Sequence, residues 1–369
     1  MADLVFWKNL PYDITRKISE SFLATDDIDH YVAFRAVCGN WRRATDSTAD
    51  ATDPRFMPSK WIMLEHSIHD NDRVTFFNLS TGRRLRKKIP TEVRNRRYFF
   101  VGVTKGGLFV LGQRAQPYQT RVLNPFTGAM ARFKVHIPME QVSSVVVTTS
   151  PMMVFISNLL NDCVSWADQT SEEWHPAFGF GEGECRTGDW GFGDGHKNLT
   201  SFAGSMYITN KYGSIISTIT NVYKEGNFYL VESEGELLLV MDGRVCNGMP
   251  VVYKVDTVNR SIGSHALFVS SRRCLSIDTT KSNKFHSIES GTIYYADRSV
   301  VRAYDQGSLA GSGWEEEPKY VFESATNPFS KMADLLVNYC TTIEYSELQM
   351  LPPYGEEGYT YYEYGDPSD

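Results

Sequence analysis

The sequence predicts a small all-α module of three short helices followed by a mainly-β domain, read as an irregular β-propeller of about six blades. Three observations carry this reading. Apolar residues near the N-terminus recur at helical spacing, and after residue 58 the pattern changes to short β-branched and aromatic bursts separated by turns. A phrase built on Asn-x-x-Thr-Gly also returns after about 46 residues, a spacing that suits four-stranded blades.

The helices come first. Leu10, Ile14, Ile18 and Phe22 recur every four residues behind Pro11, a residue suited to opening a helix, and Asp13 precedes Lys17 in the favourable orientation. Asp26 and Asp27 are candidate caps of a second helix in which Ile28, Tyr31 and Val32 share a face, and Val37, Trp41 and Ala44 share one in a third. Three helices in roughly 40 residues cannot bury so many large apolar groups among themselves, so they need a partner surface.

The succession Leu10-Pro11, Phe34-Arg35-Ala36-Val37-Cys38 and Trp41-Arg42 resembles an F-box. The resemblance implies docking on a Skp-type adaptor, which links such segments to a cullin scaffold and a ubiquitin-transfer machine. It puts the adaptor-facing pattern on Leu10, Pro11, Ile14, Ile18, Leu23, Val37, Cys38 and Trp41, with Phe34 and Arg35 supporting the helix arrangement. An ordinary three-helix cap on the following domain is the alternative. The match covers residues 1–45 and says nothing about what is recognised.

A polar linker, 46–58, leads to the β region, 59–325. Its bursts include residues 61–64, 74–79, 99–103, 108–111, 142–148, 228–231, 237–241, 266–269 and 300–304, each of strand length and composition. Phe76-Phe77-Asn78-Leu79-Ser80-Thr81-Gly82 and Val122-Leu123-Asn124-Pro125-Phe126-Thr127-Gly128 are the same phrase, echoed at 164–168, 253–256 and 302–305. Glycine-led strands at Gly107, Gly204, Gly235 and Gly291 complete units that need neighbours to bury both faces. A pair of all-β sandwiches is the alternative architecture. The Asn-Pro-x-Thr-Gly phrase, the glycine-led strands and the Val252-Tyr253-Lys254-Val255-Asp256 run resemble the C-terminal region of plant F-box proteins of the domain of unknown function 295 family. That resemblance implies a kelch-like propeller, a protein-binding role and no chemistry.

Asn327 and Pro328 are placed to open a C-terminal helix, 326–342, bearing Met332, Leu335, Leu336 and Tyr339 on one side; it is expected to pack on the propeller or the helical module. The tail, 343–369, alternates Tyr, Gly and acid and reads as disordered.

The 369 residues are 42% hydrophobic and 22% charged, the composition of a globular chain, with a net charge of -7. Eight acidic residues and no Lys or Arg lie between Met332 and Asp369, leaving +1 on the rest. Arg83, Arg84, Arg86, Lys87, Lys88, Arg94, Arg96 and Arg97 form a basic run, read as blade-edge solvation in preference to a nucleic-acid contact or a nuclear import signal. The six cysteines include no Cys-x-x-Cys pair, no apolar run reaches membrane-spanning length, and no secretory leader is recognisable. A cytoplasmic or nuclear location, without membrane association, is expected.

Chemistry finds little support. The glycines of 178–196 do not form Gly-x-Gly-x-x-Gly, and Glu182, Glu184, Asp189, Asp194 and His196 lack calcium-loop order. His66 and His69 do not align on a strand, and neither Gly-x-Ser-x-Gly nor His-Glu-x-x-His occurs. No cofactor, metal or catalytic residue is expected. The 178–196 segment reads as a long loop presenting Asp189, Trp190, Phe192 and Asp194 to a protein target, against the alternative of a tolerated insertion. The expected function is that of a non-catalytic substrate-recognition subunit of a Skp-cullin-F-box ubiquitin ligase. The competing one is a non-degradative interaction or sequestering module.

Overall fold

The computed structural model describes residues 7, 10–64, 73–88, 97–137, 142–149, 151–158, 164–176, 199–203, 205–209, 215–216, 228–241, 250–254, 262–270, 273–281, 285, 288–297, 300–305, 320–323 and 332–341. The expected target-binding loop, the acidic tail, Arg94, Arg96, His66 and His69 lie outside the described residues.

Three helices open the chain: α1 (Tyr12–Ala24), α2 (Ile28–Ala36) and α3 (Gly39–Arg43). Pro11 occupies the N-cap position of α1, and its carbonyl accepts from both the backbone N–H and the hydroxyl of Thr15, each at 3.0 Å. Asp27 occupies the same position on α2 without a side-chain capping bond, because its carboxylate turns toward Arg83. The third helix is shorter than its apolar pattern suggests. Cys38 is extended, so Val37 ends α2 and does not share a helix with Trp41.

The β region is a β-propeller. Among the described residues five sheets are simple antiparallel meanders in chain order. They are β1 (Trp61–Leu64), β2 (Arg73–Asn78) and β3 (Arg84–Lys88); β4 (Tyr98–Val103), β5 (Phe109–Gln113), β6 (Thr120–Leu123) and β7 (Met130–Phe133); and β8 (Val142–Val147), β9 (Met153–Asn158), β10 (Val164–Asp168) and β11 (His175–Pro176). The fourth and fifth are β12 (Leu199–Phe202), β13 (Ser205–Thr209) and β14 (Ile215–Ile216), and β15 (Phe228–Ser233), β16 (Glu236–Met241) and β17 (Val251–Lys254). The last sheet differs. β18 (His265–Ser270) pairs antiparallel with β19 (Cys274–Asp278) but parallel with β20 (Thr292–Asp297), which continues through β21 (Val300–Asp305) to β22 (Tyr320–Glu323). Among the described residues the regular blades therefore number five, where about six are expected, and a mixed five-stranded sheet takes the closing position.

Apolar faces meet between neighbouring sheets. Val110, Val122, Val154 and Ile156 join the second sheet to the third, and Tyr229, Val231, Leu267 and Ile293 join the fifth to the last. The ring closes where Ile62 and Phe77 of the first sheet pack with Phe268, Leu275 and Ile277 of the last. A C-terminal helix, α4 (Met332–Thr341), buries Leu336 and Cys340 in that junction, and the guanidinium of Arg273 lies 4.7 Å from the Tyr339 ring centroid. The expected helix span, 326–342, is thus observed over 332–341, and it packs on the propeller.

Turn chemistry explains the repeated phrase. Asn78 Oδ1 accepts the backbone N–H groups of Ser80 and Thr81, each at 2.9 Å, and Gly82 closes the turn at φ 63°. Asn124 Oδ1 does the same for Phe126 at 2.9 Å and Thr127 at 3.3 Å, with Gly128 at φ 77°. Asp168 and Asp278 repeat the bond to a threonine N–H two residues on. The repeat thus encodes side-chain-stabilised turns with a left-handed glycine where the strand must reverse. One strand escaped the apolar pattern. β3, Arg-Leu-Arg-Lys-Lys, alternates exposed and half-buried at the edge of its sheet, where charge discourages edge-to-edge pairing.

Candidate protein-interaction site

The helical module is fastened to the propeller through α2 and the turn before it. Ile28 is buried among Trp61, Phe76 and Phe109, and Tyr31 packs on Phe56 with its hydroxyl donating to the Asp46 carbonyl at 3.0 Å. Asp26, in the left-handed region at φ 60°, accepts the Lys60 and Ser59 N–H groups at 2.8 and 3.2 Å. Its own carbonyl accepts the Trp61 indole N–H at 2.9 Å. Burial pushes the Asp26 carboxyl up to about 6, although those backbone donors oppose the shift. Asp26 is therefore a strap between module and propeller and not a helix cap. Arg83 adds an ion pair with Asp29, and its guanidinium lies 5.0 Å from the Trp61 ring.

With that side engaged, the opposite side carries the apolar residues. Thr15 and Ser19 are the buried positions of α1, their hydroxyls satisfied by the carbonyls of Pro11 and Arg16. This inverts an ordinary surface helix, in which the apolar stripe faces the core. Pro11, Ile14 and Val37 are exposed, while Leu10, Ile18, Leu23, Cys38 and Trp41 are half-buried. Phe34 and Trp41 stack at 4.2 Å, and the Trp41 indole donates to the Trp7 carbonyl at 3.1 Å. The exposed large hydrophobic residues among those described are Trp7, Tyr12, Ile14, Val37 and Tyr118, so all but Tyr118 lie on the N-terminal module. Burying such a cluster is favourable by roughly 25 cal/mol per Å² of apolar surface.

A second concave surface lies at a mouth of the propeller. A cavity of about 280 Å³ is lined by Lys60 and Ser80 beside the first sheet, Lys105 of the β4–β5 turn, Glu232 and Glu234 of the fifth sheet, and His265, Asp278 and Lys281 of the last. Lys105 reaches Glu232 at 2.9 Å, joining sheets two and five, which are not neighbours in the ring. Lys281 bridges Glu234 at 2.8 Å and Asp278 at 3.1 Å. The Lys281 hydrogen bond and the nearby His265 lower the Glu234 carboxyl, and the same two carboxylates raise the Lys281 ammonium. Burial pulls Asp278 upward, yet hydrogen bonds from Thr280 and Lys281 prevail, and its carboxyl lies well below the usual range.

No sequence motif marks this mouth. His265 and Asp278 are directly opposed across β18 and β19, a relation that register alone creates, and Glu234 arrives from a hairpin turn in another sheet. The adjacent polar pair Ser264-His265 and the alternation Ser276-Ile277-Asp278 were the available signal. The sequence-derived target residues Asp189, Trp190, Phe192 and Asp194 lie outside the described residues.

A family model described as the KIB1-4 beta-propeller matches residues 76–318. The chain belongs to the KIB1-4 β-propeller family. Among solved structures it is similar to the β-propeller domain of the Trilobed protease from Pyrococcus furiosus, with 11% identity over 69% of this chain and 77% of that one, at a TM-score of 0.27. No curated protein matches the chain. The KIB1-4 propeller match begins inside β2 and ends before β22, so the helical module and α4 lie outside it. Propeller membership gives this chain a scaffold for protein interaction, with loops from several sheets converging on shared surfaces.

Proposed function

We propose that this chain is the substrate-recognition subunit of a Skp-cullin-F-box ubiquitin ligase, acting in the cytoplasm or nucleus. The helical module holds the Skp-type adaptor and the propeller holds a target protein. The supporting observation is the outward apolar face of the module. Four of its large apolar groups are exposed while its polar Thr15 and Ser19 point inward, an arrangement that suits a module whose main partner is another chain. The order Leu10-Pro11, Phe34-Arg35, Val37-Cys38 and Trp41 on that module adds the resemblance that names the partner.

Such a subunit breaks no bond. It raises the effective concentration of target lysines beside a ubiquitin-charged enzyme held elsewhere on the cullin. Among the described residues, no helix is long and apolar enough to cross a membrane. The test is co-expression of the full chain with a Skp-type adaptor, followed by assembly on a cullin-RING core. A stable adaptor complex that joins the cullin and disappears in a Leu10→Ala/Pro11→Ala variant is expected. Failure of the wild-type chain to retain the adaptor would refute the reading. Adaptor binding without recruitment to the cullin would instead favour the sequestering module.

A further inference from the structure

His265 is the residue at the propeller mouth that its surroundings leave unexplained. It is 7% exposed, and its Nε2 is buried with no hydrogen-bond partner, although it faces a cavity lined by carboxylates. The nearest is Glu234 Oε1, at 3.5 Å. An orphaned imidazole nitrogen in such a place carries a desolvation cost that an isolated core histidine would avoid by bonding a neighbour. Its position is fixed on both sides. It pairs with Asp278 in the β18–β19 register, which sets the two side chains on one face of a rigid ladder.

The ligand atoms of Glu234, His265 and Asp278 all lie within 4.8 Å of one another. Donors bound tetrahedrally at about 2.0–2.1 Å from a zinc ion stand roughly 3.3 Å apart, so the His265–Glu234 separation is already close to that value. The remaining closure falls to Glu234, whose side chain is 53% exposed and exchanges its bond to Lys281 for the metal. Asp278 is held by its other oxygen. Oδ1 accepts the Thr280 N–H and hydroxyl at 2.9 and 2.7 Å, which orients Oδ2 toward the cavity in the way outer-shell partners orient a metal-binding carboxylate. Cation affinity is already expressed here, since the Lys281 ammonium sits between Glu234 and Asp278.

We infer that Glu234, His265 and Asp278 form a binding site for a divalent cation of the zinc class, which replaces the Lys281 ammonium between the two carboxylates. One imidazole with two carboxylates suits a borderline ion better than calcium or magnesium, which prefer all-oxygen sites. Three protein ligands leave a position open toward the mouth, where a water or a carboxylate of a bound protein completes the shell. The metal also neutralises two acidic groups at a surface several sheets share, so occupancy alters what that surface accepts. This inference does not rest on the ubiquitin-ligase reading.

The test is zinc binding by the full chain alone, followed by calorimetry and equilibrium dialysis near pH 7.5 in a non-chelating buffer. One equivalent of Zn2+ is expected, with Mg2+ and Ca2+ failing to compete. His265→Gln and Glu234→Gln should each weaken that equivalent by about tenfold or more. Lys281→Met removes the resident cation and should tighten it by a similar factor. Because Glu234 and Lys281 are half-exposed, their variants keep the test open even if His265→Gln does not fold. Absence of a stoichiometric zinc ion, or binding that none of the three substitutions alters, would overturn the site.

Discussion

Replacing Ile14 and Val37 with glutamate separates partner docking from folding. Ile14 is 39% exposed and Val37 58% exposed. Fully burying an Ile or Val side chain contributes about 1.5–3 kcal/mol, so covering only these exposed fractions contributes roughly 1.5–3 kcal/mol for the pair. That corresponds to about a ten- to hundredfold loss of adaptor affinity on truncation, and a buried unpaired carboxylate makes the loss larger. Folding should barely change, since surface substitutions away from special features fall within about 0.5 kcal/mol and glutamate is a good helix former. Interferometry with immobilised adaptor gives the affinity, and thermal unfolding of the same preparations gives the stability. Loss of binding accompanied by a large fall in Tm would refute the reasoning, because these side chains would then belong to the core. Unchanged binding would place the adaptor elsewhere.

Two further predictions concern the fastening of the module. Asp26 has its folded-state carboxyl raised to about 6, above the unfolded value of about 3.9, so its stabilising contribution is fully present below about pH 4 and is lost as pH rises through 6. In Asp26→Asn that dependence vanishes; wild-type minus variant Tm should be most favourable to the wild type near pH 4 and shrink toward pH 7, whereas a flat difference would contradict the assignment. Gly106 sits at φ 105°, and an added Cβ would lie 2.1 Å from the Pro58 carbonyl oxygen, so Gly106→Ala must displace the linker from the β4–β5 turn. Its strain of about 1–2 kcal/mol from backbone conformation alone should lower Tm by about 1–3 °C, and the clash adds to that; an unaltered Tm would mean that the linker does not lie against this turn.

Local chemistry was legible in the sequence. Pro11 and the four-residue spacing behind it give α1, and Asn78, Asn124 and their left-handed glycines give the hairpin turns that the repeated phrase spells out. Direction was harder to read. The same apolar spacing serves a helix packed on its own domain and one facing a partner, and the buried hydroxyls of Thr15 and Ser19 decide between them only once their carbonyl acceptors are known. Asp26 and Asp27 carry the usual capping side chains, but the nearby Ser59 and Lys60 N–H groups and Arg83 compete for them. Long-range relations left no local trace. The parallel β18–β20 pairing joins segments more than twenty residues apart, and the mouth unites His265 and Asp278 with Glu234 of another sheet.

The attachment of the module constrains how the proposed ligase subunit would present its target. A flexible tether would spread the propeller over a wide volume, and effective concentration would then follow linker length. This linker is held at several points: Tyr31 bonds the Asp46 carbonyl, Asn124 Nδ2 donates to the Phe56 carbonyl at 2.6 Å, and Asp26 grips Ser59 and Lys60. Lys60 itself lines the mouth cavity, so the strap at Asp26 and the mouth share one short stretch of chain. Orientation, and not tether length, then sets which target lysines face the ubiquitin-charged enzyme. Lengthening the linker within 47–52, between the Asp46 and Phe56 anchors, should leave the propeller and adaptor affinities unchanged, because the inserted residues bulge into solvent. Loosening Asp26 should instead broaden the set of lysines modified on a given target, which mass spectrometry of the ubiquitinated product would read directly; an unchanged lysine pattern would mean that the geometry is set by the target alone.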